Sequence, residues 1–425
     1  MSCLKSYSLL LFALIGFASC ETTTEEIEIA DPLESAQNDS EGALKNGDWI
    51  GKLNLPSGNY IPFNFTVNGT SLVISNSSEK IETKLDQMDD SIHFKMPAFD
   101  SEFKFMLTDD SHLAGYWINY AKTNYRIPFT AEITSTPNQR FNHAVNNSSA
   151  NFDGKWETTF GVNNDPEKAI GVFEQTGNTA TGTFLTETGD YRYLQGNIIN
   201  DSLYLSCFDG SHAFLFKAVK SGDSLKGEFY SGKHYTDDLW TATLNPEFEL
   251  THPDSLTYLI DPDQPFRFAF PGVNADSIKY PSNDYNGKVV IVQVFGSWCP
   301  NCKDESLFYN DLYTEFKNEG LDIIGLGFER PESLDGKKAR IRDFMEALDV
   351  EYEMAVGGSS GKAEAKEALP QLNQVISFPT SVFIDRSGKV RKIHTGFYGP
   401  GTGAYYDNYK ERITIFLKDL LQEEA

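Results

Sequence analysis

Cys299 and Cys302 stand two residues apart in Trp298-Cys299-Pro300-Asn301-Cys302, and they are the residues of this chain best suited to chemistry. Two thiols at that spacing can cycle between dithiol and disulfide. The attacking species in such a cycle is a thiolate. A helix N-terminus offers free backbone N–H groups and the positive end of the helix dipole, so it favours negative charge on a cysteine placed there. Pro300 suits the first turn, where a missing N–H costs nothing. Cys302 falls one turn later on the same side of the helix. Cys299 is therefore the expected nucleophile and Cys302 the resolving thiol, acting by attack, mixed disulfide and resolution.

The elements around the pair supply that placement. Lys288 to Phe295 reads as a buried strand running straight into the motif, and a helical stretch including Leu307–Asn318 follows it. From about Pro262 onward strand-like and helical runs alternate, which predicts an α/β domain. Further strands are expected at Asp322–Phe328, Tyr352–Val356 and Ser381–Asp385. The last of these forms a hairpin with Val390–Thr395. Helices are expected at Lys338–Leu348, Lys362–Leu369 and Tyr409–Leu421. A zinc site is the rival use of a close cysteine pair, but structural zinc wants four ligands. No second Cys-x-x-Cys exists, so neither a metal nor another cofactor is expected.

The strand, the Trp-Cys-Pro-x-Cys motif and the helix, with Phe378-Pro379-Thr380 ahead of a later strand, resemble the thioredoxin superfamily. The inserted strand and helix at about 338–369 and the lead-in Phe268-Ala269-Phe270-Pro271 resemble its TlpA/ResA-like branch, over roughly residues 265–425. The resemblance implies a cis bond before Pro379, next to the disulfide. Trp298, Phe378 and Pro379 would then contact substrate. Where thioredoxin carries a buried acid before its first cysteine, this chain has Gln293, which cannot exchange a proton. Glu305 matches a glutamate of the TlpA/ResA-like proteins and would manage protons at Cys302; the alternative is an exposed helix carboxylate. The resemblance also implies reduction of protein disulfides, electrons from a membrane thiol protein, and cytochrome c maturation as one destination. A peroxiredoxin would carry threonine or serine and proline where Gly296 and Val292 stand, so peroxidase activity is not expected.

The N-terminus reads as an address. Lys5 provides a positive start, Leu9–Phe17 a short apolar run, and Phe17-Ala18-Ser19-Cys20 a lipobox-like end. Residues 1–19 are the expected signal peptide, and lipid on Cys20 would anchor the chain outside the cytoplasm, most simply on the periplasmic side. Residues 20–45 are acidic and polar and read as a flexible tether. Two β-units are expected at 46–135 and 151–247, ahead of the α/β domain at 262–425. They look duplicated: Gly47-Asp48-Trp49 is echoed by Gly154-Lys155-Trp156, and Phe99-Asp100 by Phe208-Asp209. Alternating runs broken by Asn68-Gly69, Asp209-Gly210 and Ser221-Gly222 predict antiparallel meanders in sandwiches or barrels. Asn146–Asn151 reads as the linker between them. Cys207 sits in such a run as a small core residue.

The fold class is thus multidomain: two duplicated all-β units and a thioredoxin-like α/β domain. A net charge of -25 argues against nucleic acid as a partner. A second reading is compatible with the length of the β-units: an envelope binding protein whose β-units hold a partner or ligand, with an accessory redox domain.

Overall fold

A computed structural model of the chain describes residues 44–88, 91–137, 139–141, 150–163, 165–233 and 235–424. The expected signal peptide, Cys20, the tether as far as residue 43 and Asn146–Ser149 of the linker lie outside the described residues. Among the described residues no helix is long and apolar enough to cross a membrane.

Alternating apolar and polar residues give one dry face per strand, and they build a nine-stranded antiparallel sheet in each β-unit. In the first, strand Gly47–Asn54 pairs with both the second strand, Tyr60–Asn68, and the last, Arg126–Thr134. In the other, Gly154–Phe160 likewise pairs with Glu167–Thr176 and with Tyr235–Leu244. There the pairing of Glu167–Thr176 with Thr179–Thr186 closes the ring, so that unit is a barrel. Each opening strand buries a tryptophan completely. The indole of Trp49 donates to the Lys45 carbonyl (3.2 Å) and that of Trp156 to the Phe152 carbonyl (2.9 Å).

The two units share a core. Phe208 of the barrel stacks on Phe63 of the first sheet with ring centroids 4.8 Å apart and meets Trp117 edge-on at 5.0 Å. Cys207 beside it is fully buried in the barrel core. Arg140, also fully buried, donates to Asn64 Oδ1 (2.8 Å) in one unit and to the Ser206 carbonyl (2.9 Å) in the other.

The C-terminal domain is built on five strands: β1 (Val289–Phe295), β2 (Leu321–Glu329), β3 (Glu353–Ser359), β4 (Thr380–Ile384) and β5 (Val390–Thr395). Their order is β3-β2-β1-β4-β5, with β1, β2 and β3 parallel and β4 antiparallel to both its neighbours. Helices α1 (Pro300–Phe316), α2 (Leu334–Ala347), α3 (Lys362–Ala368) and α4 (Ala404–Gln422) cover the sheet. β1 is buried at every position, as its nearly unbroken apolar run requires of a central strand. α4 begins at Ala404, ahead of the expected start at Tyr409, so Tyr405 and Tyr406 lie inside the helix. In its first turn Ala404 and Asp407 are exposed and Tyr405 and Tyr406 half-buried, so no clear apolar periodicity marks it.

Candidate functional site

β1 ends at Phe295, and the chain turns through Gly296–Trp298 into α1. Cys299 is the N-cap of that helix, and its Sγ accepts from the Cys302 backbone N–H at 3.4 Å. Its own thiol donates to the Phe378 carbonyl at 3.3 Å. The Phe378–Pro379 bond is cis, and it places that carbonyl against the sulfur. Both cysteines are unbridged. Cys302 is fully buried, and burial pushes its thiol well above the ordinary range, helped by the hydrogen bond and charge of Cys299. Trp298 is held from three sides. Its indole donates to the Phe328 carbonyl at 2.9 Å, its ring meets Phe378 edge-on at 5.5 Å, and the Arg330 guanidinium lies 4.8 Å from its centre.

Glu305 is not the exposed carboxylate that its helical position also allowed: it is 0% exposed. Gln293 Nε2 donates to its Oε2 at 2.9 Å, while Ser381 Oγ and the Tyr309 hydroxyl donate to Oε1 at 3.1 and 3.2 Å. Burial raises its pKa to about 7, and these hydrogen bonds offset only part of that rise. Gln293 is in turn fixed through its Oε1 by Ser306 Oγ (3.1 Å) and the Tyr352 hydroxyl (3.3 Å). Nothing in their spacing marks Ser381 as a partner of Glu305 or Tyr352 as a partner of Gln293, whereas Tyr309, four residues after Glu305 on the same helix, is within reach of the helical period. Ser381 lies two residues beyond Pro379 and so sits close to a motif as well.

Sequence reasoning also missed the outer wall of the site, which belongs to the barrel. Asp190 Oδ2 accepts from the Gly399 N–H (2.6 Å) and from Asn301 Nδ2 (3.3 Å), the residue beside Cys302. Burial pushes Asp190 up to about 6. Ser377 Oγ donates to the Thr188 carbonyl (2.6 Å), and Ser211 Oγ donates to the Trp298 carbonyl (3.0 Å). The approach is close enough at Gly189 (φ +146°) that a Cβ would meet Asn301 Nδ2 at 2.6 Å. Behind this hairpin Arg192 is 1% exposed and pairs with Glu79 of the first sheet (2.8 Å), Asp209 of the barrel (3.4 Å) and Asp304 of α1. Burial works against its charge, yet Asp304, Glu79 and Asp209 together hold it protonated far above its usual range.

Among the described residues no group of three or more His, Cys, Asp or Glu is placed to hold a metal ion. The arrangement can pass electrons as a thiol pair and can hold or release one proton at Glu305.

Residues 257–393 match the AhpC/TSA family. The chain is 29% identical over 138 residues to the thiol-disulfide oxidoreductase ResA of Bacillus thuringiensis subsp. konkukian (strain 97-27), covering 32% of this chain and 69% of that protein. It is 26% identical over 114 residues to ResA of Bacillus subtilis (strain 168), covering 27% of this chain and 56% of the relative. A crystal structure of a thiol:disulfide interchange protein, a thioredoxin family protein from Chlorobium tepidum TLS, overlays on 38% of this chain and 97% of its own, with 20% identity and a TM-score of 0.29.

Proposed function

We propose, from a C-terminal domain that is a ResA/TlpA-like member of the thioredoxin superfamily, that this chain is a thiol–disulfide oxidoreductase of the cell envelope that reduces protein disulfides. The observation that carries the reading is the meeting of three parts. Cys299 caps α1, the cis Phe378–Pro379 carbonyl touches its sulfur, and Glu305 lies buried on the same helix. Cys299 thiolate attacks one sulfur of a substrate disulfide, that S–S bond breaks, and the substrate's other sulfur leaves as a thiolate. Cys302 then attacks Cys299, so the substrate gains two electrons and two protons as a dithiol while Cys299–Cys302 becomes a disulfide. Cys302 must lose its proton for that second attack, and burial holds the proton on. Glu305, with a pKa of about 7, is the carboxylate suited to take it. A membrane thiol protein restores the dithiol.

Trp298, Phe378 and Pro379 form the substrate platform in this reading. Lipid on Cys20 tethers the chain, with residues 1–19 removed. The β-units at 46–135 and 151–247 are a duplicated pair, an idea supported by the opening strand lying between the second and the last in each, and the redox domain occupies 262–425.

The test uses the full chain. Turnover of a disulfide-bonded peptide with a dithiol reductant is expected, and Cys299→Ser should abolish it. Cys302→Ser should accumulate a mixed disulfide that a reductant releases. A wild-type chain without turnover would sink the reading. The direction of electron flow is read from the reduction potential of the pair: a reductase lies well below the oxidising end, about -120 mV.

A further inference from the structure

Beside Trp298 lies a cleft that none of these steps uses. It has a volume of about 840 Å³, on the scale that holds a short peptide or a drug-sized ligand. One wall is formed by residues 95–102 and 119–123 of the first β-unit. The other is formed by Ser297, Trp298, residues 329–331 and the start of the insert that carries Arg340. Nearer the cysteines, the opposite side of the α1 N-terminus is closed by the barrel, through Asp190 on Asn301 and Gly399 and through Thr188 on Ser377. A broad folded surface cannot lie flat across both sides, whereas an extended chain can enter along the cleft.

The charges in the cleft are unevenly satisfied. Its four carboxylates all have partners. Asp100 and Asp343 both pair with Arg340, Glu102 with Lys104 (2.8 Å), and Glu329 accepts from the Ser297 N–H (2.8 Å) and Oγ (2.7 Å). Two cations do not. Arg330 stacks on Trp298 and donates one N–H to the Ala121 carbonyl at 2.7 Å, and among the described residues it forms no ion pair. Lys122, the next residue, lies with its ammonium 4.5 Å from the Tyr125 ring centre and likewise has no carboxylate partner among them. Burial and the Arg330 charge together make its ammonium harder to keep. In a chain of net charge -25, two neighbouring cations without a carboxylate partner, one of them stacked on Trp298, are not background. A stacked guanidinium keeps its N–H edge free for a carboxylate.

We propose that this cleft receives an extended, acidic, cysteine-bearing segment of the substrate, with Lys122 and Arg330 as the specificity-determining contacts and Trp298 as the platform that leads to Cys299. The inference rests on the oxidoreductase reading and names the substrate class of that same site.

The experiment compares peptides carrying one internal disulfide in a constant core, flanked by Asp/Glu, Ser/Gly or Lys/Lys, against the full chain. Neutral dipyridyl disulfide is the flank-free control. At low salt kcat/KM for the acidic flank should exceed that for the basic flank by about tenfold, the scale of two partly screened charge pairs. The ratio should shrink as salt rises. The combined Lys122→Gln and Arg330→Gln variant should bring it under about twofold, while Arg330→Lys keeps part of it. Lys226→Gln, at an exposed barrel position outside the cleft lining, should leave the ratio in place. Equal rates for all flanks, or a full ratio in the double variant, overturn the proposal when dipyridyl disulfide is still reduced through Cys299. If dipyridyl disulfide is not reduced, the oxidoreductase reading fails first. Dithiodipropionate, a small carboxylated disulfide, separates the two sources of carboxylate. If it matches the acidic peptide, the cleft belongs to small acids and the peptide assignment is overturned.

Discussion

Asp304 and Glu305 are neighbours in sequence and point about 100° apart around α1, far enough to meet different surroundings. Asp304 points outward into the interface with the β-units, where Arg192 meets it. Glu305 points inward to the sheet, where only neutral donors meet it. Both are almost wholly buried, at 6% and 0% exposure. Where a cation is supplied, the carboxylate becomes part of a lock between three units. Where none is supplied, burial raises the pKa to about 7 and the carboxylate becomes a proton holder. The same chemical group is tied into an ion pair or left to titrate near neutral pH by whether the fold brings a counter-charge to it.

The largest effect should come from breaking the outward half of that pair. Arg192→Met leaves Glu79, Asp209 and Asp304 buried around an apolar side chain. Removing one partner of a buried charge cluster typically costs about 3–5 kcal/mol, and denaturant unfolding of the full chain should show a loss on that scale. Adding Glu79→Gln and Asp304→Asn to the same chain should return much of it, because two of the three uncompensated charges are then gone and Asp209 keeps its His212 partner. A loss below about 1 kcal/mol would mean that the cluster contributes no more than a surface pair.

The inward half is tested through pH. The folded pKa of Glu305 is raised from 4.5 to about 7, so the folded state prefers the protonated acid. The stability this group contributes is complete below pH 4.5 and is lost as pH rises through about 7. At 1.36 kcal/mol per pKa unit the loss integrates to about 3 kcal/mol. Glu305→Gln cannot ionise, so the difference between the wild-type and variant stability curves should move by that amount between pH 4.5 and 8. Asp190 titrates with the same sign and is present in both chains, so it cancels. Disulfide resolution should slow in the variant and lose its pH dependence near 7. If the two curves run parallel, Glu305 is not the group that titrates there.

The two halves were unequally visible from sequence. The strand–motif–helix grammar, the meanders and the positions of Cys299, Cys302, Glu305 and Pro379 are local signals, carried by spacing within a few residues. Gln293 and Glu305 could be singled out because both sit close to the cysteines along the chain. Asp190, Arg192, Ser211 and Glu79 reach the site from more than eighty residues away. Their types are ordinary for turns and strand ends, so no periodicity or motif marks them. A single sequence encodes such contacts only through the docking of whole units. Lys122 and Arg330 were silent for the same reason: neither belongs to a charge run, and their meeting depends on how one domain lies against another.

The smallest test separates docking from local packing. Ser377 precedes the cis bond and donates its hydroxyl to Thr188 across the domain boundary at 2.6 Å. Ser377→Ala removes one hydrogen bond and should cost about 1 kcal/mol in unfolding of the full chain. In the Arg192→Met background the prediction changes. If the Arg192 cluster holds the barrel hairpin against α1, its loss frees Thr188 from Ser377 already, and the second substitution should then cost almost nothing. The coupling energy in that double-mutant cycle would therefore approach the whole single-mutant effect. Independent costs that simply add would mean that the hairpin stays seated on Asn301 and Ser377 without Arg192, and that the lock lies in the smaller contacts around Asp190.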